Sequence, residues 1–247
     1  MLAIIGGSGL YSLGQAFQLQ DQLPRETPYG ETSADPLRGQ WEGAEVVFMP
    51  RHGAGHSVPP HAVNYRANLW ALHQAGVDQV ISVNAVGGIG DDMAPRVIAV
   101  PRQLIDYSSG RAHSFFDGED GVVRHVDFAE PYSAGLRAAL LGAANGLGIQ
   151  VVDGGVYGCT NGPRFETAAE IERMRRDGCS MVGMTGMPEA GLARELDIDY
   201  ACVAVSVNWA AGIDDAPISM EDILANLENS IDQVRPLLLA TVRAVAA

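Results

Sequence analysis

The chain has 247 residues, 47% of them hydrophobic, which supplies one sizeable core over residues 1–247 and too little apolar material for two. Its formal net charge is −14, from 30 acidic against 16 basic residues, so its field repels polyanions and excludes a broad nucleic-acid surface. A local anion site stays open, because a few cationic groups and backbone N–H donors act at short range.

In chain order, Met1-Leu2-Ala3-Ile4-Ile5 runs into Gly6-Gly7 with no basic leader and no long apolar stretch, which predicts neither a signal peptide nor a membrane span. Cys159, Cys179 and Cys202 are odd in number and widely spaced, as expected of buried, reduced thiols in a cytoplasmic protein rather than of a disulfide framework or metal site. Runs rich in β-branched residues predict strands over Ala3–Ile5, Val46–Met49, Val80–Val86, Val97–Val100, Val151–Val156 and Tyr200–Val207. Helical spacing predicts helices over Val63–Gln74, Ser133–Leu147, Thr167–Arg176, Pro188–Leu196 and from Ser219 to the C-terminus. In the last of these, Ser219-x-x-Asp222 has the form of a capping box and Pro236 is expected to bend or interrupt the helix. Gly110–Gly121, with its acids and Phe115-Phe116, reads as a long surface loop or flap. The alternation predicts an α/β fold, a three-layer sandwich around a mixed, mainly parallel sheet.

Several strand ends carry chemistry. Gly6-Gly7-Ser8-Gly9 lets the backbone approach an anion closely while the Ser8 hydroxyl donates to it; half of a dinucleotide fingerprint, Gly7-x-Gly9, leaves a nicotinamide-dependent oxidoreductase as an alternative. Arg51-His52-Gly53-Ala54-Gly55-His56 follows a strand with a charged fork and a histidine donor, a short-range anion clamp. Asn84-Ala85-Val86-Gly87-Gly88 ends an apolar strand where ligands cross open α/β sheets. In Gly162-Pro163-Arg164-Phe165-Glu166-Thr167, Phe165 suits stacking on a flat heterocycle and Glu166 suits accepting from a ring N–H; Met184-Thr185 lies between glycines.

Taken together and in this order, with Val63-Asn64-Tyr65-Arg66-Ala67-Asn68 and Met184-Thr185-x-x-Pro188-Glu189, these motifs resemble the trimeric purine nucleoside phosphorylase and methylthioadenosine phosphorylase family over nearly the whole chain. The resemblance implies the nucleoside phosphorylase fold and a pentosyltransferase, in which phosphate attacks the anomeric carbon of a nucleoside while the purine departs. It implies that Ser8, Arg51, His52, Asn84, Ala85 and Thr185 hold phosphate, and that Met184 lies against the ribose and Phe165 on the base. Asn208, Glu166 and His52 are then the catalytic groups, with Thr167 and Trp209 beside them at the substrate. His125 resembles a histidine lent to a neighbouring subunit's 5' site, which makes a homotrimer part of the expectation. No metal and no organic cofactor is implied; inorganic phosphate is a co-substrate, and the partners are small molecules, not nucleic acid or membrane.

Adenine offers an acceptor at N1 and a donor at its amino group, whereas 6-oxopurines offer the reverse. Adenine-selective members of the family carry two aspartates one residue apart where this chain has Asn208 and Ala210. With Glu166, this departure implies a 6-oxopurine. Met220, Ile223 and Leu224 stand where a polar partner for a 5'-hydroxyl would be, an apolar wall that favours a thioether. The expected reaction is 5'-methylthioinosine plus phosphate to hypoxanthine and 5-methylthioribose 1-phosphate, in purine salvage. A general inosine and guanosine phosphorylase and a noncatalytic nucleoside-binding protein are the other readings.

Overall fold

The computed structural model describes residues 1–118 and 121–246; Glu119 and Asp120 of the expected flap and Ala247 of the expected last helix lie outside the described residues. The first half of the chain forms β1 (Leu2–Gly6), β2 (Phe17–Gln22), β3 (Glu26–Thr27), β4 (Gly30–Glu31), β5 (Leu37–Trp41), β6 (Ala44–Pro50), α1 (Tyr65–Gln74), β7 (Gln79–Gly88), β8 (Ile98–Val100) and β9 (Gln103–Asp106). The second half forms α2 (Ala134–Leu147), β10 (Val151–Asp153), β11 (Val156–Cys159), α3 (Ala168–Arg176), β12 (Met181–Gly183), α4 (Gly186–Glu195), β13 (Asp199–Trp209) and α5 (Met220–Ala246).

The most apolar runs take the middle of the sheet, because a parallel strand covered by helices on both faces has no wet side. The strand order is β10-β8-β13-β7-β1-β6-β5-β2, with β6-β1-β7-β13 all parallel, β5 and β2 antiparallel to their neighbours, and β8 antiparallel to β13 but parallel to β10. A branch of three parallel strands, β9-β11-β12, joins the antiparallel end of β7. On one face α2 and α5 bury Leu136, Leu140, Leu227, Val234 and Leu238 against Ile4, Ile81 and Val203. On the other, α1 and α4 bury Leu69, Leu72, Leu192 and Ala193 against Ile5, Val80 and Cys202. A smaller cluster packs Ile171 and Met174 of α3 on Ile89, Val182 and Ala210. These layers form the mixed, mainly parallel α/β sandwich expected.

The structure corrects several local expectations. Val151–Val156 is two strands, since Gly154 and Gly155 take φ of +116° and +88°, a turn that residues with a Cβ resist. Pro236 does not interrupt α5, which runs on to Ala246. The lost backbone bond is outweighed by burial of Val234, Leu237, Leu238 and Val242 on either side. Only half of the expected capping box at α5 is made, by the Asp222 N–H donating to Ser219 Oγ at 3.3 Å; α3 has a complete one, between Thr167 and Glu170. The described part of Gly110–Gly121 is tied down: Ser114 Oγ and the Phe115 N–H donate to the Glu195 carboxylate, both at 2.7 Å. The hairpin extension by β2 and β5 was not anticipated from sequence. One residue of β13, Val207, stands out of register, since Ser206 pairs with Val86 and Asn208 with Gly87.

Candidate functional site

The carboxyl ends of β1, β6, β7 and β13 lie along one edge, the position where ligands enter open α/β sheets. A cavity of about 590 Å³ opens there. Gly7 and Ser8 follow β1, and Arg51, His52 and His56 follow β6; Asn84 and Ala85 come from β7, Met184 and Thr185 follow β12, and Asn208 and Ala210 come from the end of β13. Phe165 and Glu166 close one side, while Met220, Ile223 and Leu224 bring the start of α5 over another.

The inner end of the cavity is a buried polar network. The guanidinium of Arg51 donates from Nε and Nη2 to both oxygens of Glu189, at 2.8 and 2.7 Å, in a pair with no exposure on either side. Nη1 donates to the Val83 carbonyl at 3.0 Å and Nη2 also to Asn84 Oδ1 at 3.1 Å. The fork expected to clamp an anion is therefore engaged by Glu189, and a single Nη1 hydrogen remains for a ligand. Burial lowers the Arg51 pKa, but the attraction and hydrogen bonds of Glu189 outweigh it and hold the group protonated. Gly7 is required here: a Cβ would lie 2.4 Å from the Val83 carbonyl and 2.8 Å from Arg51 Nη1.

This network orients the next donor. Because Asn84 Oδ1 accepts from Arg51, its Nδ2 faces Thr185 Oγ1 at 3.1 Å. The Thr185 oxygen thus accepts, which frees its own proton to donate into the cavity. Tyr200 OH lies 2.8 Å from Glu189 Oε2 and 2.7 Å from Ser82 Oγ; its one proton goes to the carboxylate, and Ser82 supplies the second bond.

His52 also differs from expectation. Its Nδ1 lies 2.8 Å from the Val58 carbonyl, so Nδ1 carries the proton and Nε2 of the neutral ring is an acceptor, not the added donor. Burial, then the Arg51 charge, push its pKa down to about 4, so the ring is neutral near pH 7. His56 stands against it at 4.6 Å between ring centroids, with Tyr11 edge-on at 5.7 Å.

At the opposite side Glu166 Oε1 accepts from Thr160 Oγ1 at 2.6 Å, leaving Oε2 for another donor. Glu166 also borders a second cavity of about 430 Å³ beside Asp106 and Arg173. Asn208 Nδ2 donates to the Trp209 carbonyl at 2.6 Å and keeps one N–H and its carbonyl oxygen.

Three residues expected at the substrate lie off the cavity wall. The Thr167 hydroxyl accepts from the Glu170 N–H as the cap of α3. Trp209 is the strand neighbour of Asn208 and is turned from it by the pleat. His125 is exposed and away from this chain's own cavity. Sequence reasoning gave no role to Glu189, Tyr200 or Arg111, nor to Tyr157, whose hydroxyl accepts from Asn84 Nδ2 at 3.4 Å. The signal for Glu189 was physical: an arginine buried at a strand end demands a carboxylate.

All three cysteines are free and buried, and burial pushes Cys159 and Cys202 up to about 12, as expected of inert thiols. Among the described residues, no helix is long and apolar enough to cross a membrane.

An open α/β sheet with a donor-rich pocket at its strand ends has the form of a site for a small anion beside an apolar ligand. The phosphorylase superfamily model matches residues 1–243, and the chain belongs to that family. It is 53% identical over 228 residues, 92% of this chain and 91% of the relative, to a probable S-methyl-5'-thioinosine phosphorylase of Xanthomonas campestris pv. campestris. It is 42% identical to the 6-oxopurine nucleoside phosphorylase of Pyrococcus furiosus, covering 98% of this chain and 91% of the relative. Methylthioadenosine phosphorylase from Schistosoma mansoni in complex with adenine superposes with a TM-score of 0.92 at 31% identity, covering 99% of this chain and 91% of that one.

Proposed function

We propose that this chain catalyses phosphorolysis of a 6-oxopurine nucleoside, with 5'-methylthioinosine as its substrate, giving hypoxanthine and 5-methylthioribose 1-phosphate. The observation that carries the reading is that one cavity joins three unlike ends: the Arg51–Asn84–Thr185 donors, the Glu166 and Asn208 pair, and the apolar start of α5. Phosphate sits at the first end, held by Ser8, the spare Arg51 N–H, the Thr185 hydroxyl and the backbone at Ala85. Neutral His52 offers Nε2 to the one O–H of HPO₄²⁻, which turns the unprotonated oxygens toward the sugar.

Phosphate oxygen then attacks C1', the C1'–N9 bond breaks, and its electron pair leaves with the purine; the nearby dianion stabilises the positive charge developing on the sugar. Glu166 accepts from N1–H of the base, and Asn208 donates toward O6 or N7 as negative charge builds on the leaving ring. An adenine would place its N1 lone pair against the carboxylate, a mismatch that rejects 6-aminopurines.

The reading extends to a homotrimer in the cytoplasm, in which His125 reaches the 5' site of the neighbouring subunit. Support comes from its exposure off this chain's cavity and from the exposed apolar pair Val122 and Val123 beside it. A general 6-oxopurine phosphorylase is the second reading, favoured by the Pyrococcus relative. Release of hypoxanthine or guanine from methylthioinosine, inosine, guanosine and methylthioadenosine, with and without phosphate, decides between them. The expected result is phosphate-dependent turnover greatest for methylthioinosine; preference for methylthioadenosine overturns the base assignment, and equal use of inosine favours the second reading.

A further inference from the structure

Arg111 comes from the loop between β9 and α2, outside the cavity wall, yet its guanidinium joins two segments that form the wall. Nη2 donates to the carbonyls of Met184 at 2.8 Å, Asn161 at 3.0 Å and Thr160 at 3.2 Å, and Nη1 donates to the Met187 carbonyl. Its Cζ lies 5.3 Å from the Tyr65 ring centroid, and the Tyr65 hydroxyl donates to the Pro60 carbonyl at 2.9 Å. Nε is buried without a partner, so the group is aimed by these carbonyls and not by a carboxylate.

The two segments serve opposite ends of the cavity. Thr160 orients the Glu166 carboxylate through its hydroxyl, whereas Met184 and Thr185 face the sugar and the anion end. Between them, among the described residues, no strand pair lies beyond the short β11–β12 ladder, which stops at Cys159 and Gly183. Beyond that point the Arg111 guanidinium bridges both backbones, together with the Thr160 N–H to Gly183 carbonyl bond at 2.9 Å.

We infer that Arg111 is a positioning residue: one planar fork fixes the distance between the base-reading loop and the sugar and phosphate loop, and so the alignment of phosphate, C1' and departing base. The inference rests on the phosphorolysis reading for its catalytic consequence. A lysine cannot reproduce it, because its one nitrogen would have to serve carbonyls that Arg111 divides between Nη1, on Met187, and Nη2, on Thr160, Asn161 and Met184.

The test uses the full-length protein and Arg111→Lys and Arg111→Ala variants. With methylthioinosine and phosphate, the lysine variant is expected to lose about 100-fold in kcat while both KM values move only a few-fold, since misplacement of about 1 Å has that cost when binding contacts survive. Free guanidinium, well below denaturing concentrations, is expected to restore part of the kcat of Arg111→Ala. Amide exchange in residues 160–166 and 184–187 is expected to rise together in Arg111→Lys. Unchanged kcat per folded molecule in Arg111→Lys, or exchange that rises in neither segment, overturns the inference. Should Arg111→Ala fail to fold, the lysine variant decides alone. A wild-type chain that releases no base with phosphate refutes the functional reading instead, and the exchange measurement then still tests the clamp.

Discussion

The two ends of the cavity are built by opposite means. At the anion end Arg51, Asn84 and Glu189 are buried, and each polar group is fixed by another before any ligand arrives. At the 5' end the wall is α5, where Met220 is 57% and Leu224 is 55% exposed, and only Ile223 is buried. Chemistry that needs angstrom alignment is thus placed where the fold is most constrained. On the proposed reading, discrimination between a hydroxyl and a thioether needs only apolar area and falls to a helix end that solvent reaches.

If this contrast holds, the largest effect belongs to Glu189. Glu189→Ala strands the Arg51 charge in the interior, and unfolding by denaturant should show a loss of about 3–5 kcal/mol; an unchanged midpoint would break the picture of a constrained inner end. Next comes the base pair of readers. Asn208→Asp should shift preference toward 6-aminopurine nucleosides, and Glu166→Gln should erode 6-oxopurine selectivity by roughly 10- to 100-fold in kcat/KM, the range set by one unmatched polar group. Base preference that stays constant in both variants would remove them as readers.

A pH effect follows from His52. Its folded-state pKa of about 4 lies below the ordinary value of 6.5, so between those values the unfolded chain binds the extra proton. Its contribution therefore leaves stability untouched above pH 6.5 and destabilises progressively down to about 4. His52→Asn should flatten that part of the stability profile measured without phosphate, and a slope identical to wild type would contradict a buried neutral ring. The smallest effect is at the lip: Leu224→Ser should reduce the preference for methylthioinosine over inosine by about fourfold, the value of one buried methylene. A much greater loss would mean that the 5' end is as constrained as the inner one.

The central strands were legible because β1, β7 and β13 are apolar on both faces, a pattern that needs no partner to be recognised. β2 was not, since Phe-Gln-Leu-Gln-Asp-Gln lies almost wholly exposed at the edge of the sheet and carries no buried face to read. The cavity residues at strand ends were legible from glycines and polar side chains following apolar runs. What sequence could not supply was pairing across long separations: Arg51 and Glu189 stand 138 residues apart, and their union is what turned the expected anion fork inward. Thr167 and Trp209 adjoin Glu166 and Asn208 in sequence but lie off the cavity wall, since a cap and a pleat each turn the neighbour away.

The unpaired residue in the last strand has a genetic consequence. Val207, the residue extra to the pairing, and Asn208 both touch the cavity. Loss of the single Val207 codon would leave Asn208 opposite Gly87 and Trp209 opposite Gly88 as they stand, so the amide would keep its place where the purine is proposed to lie while an apolar lining residue disappeared.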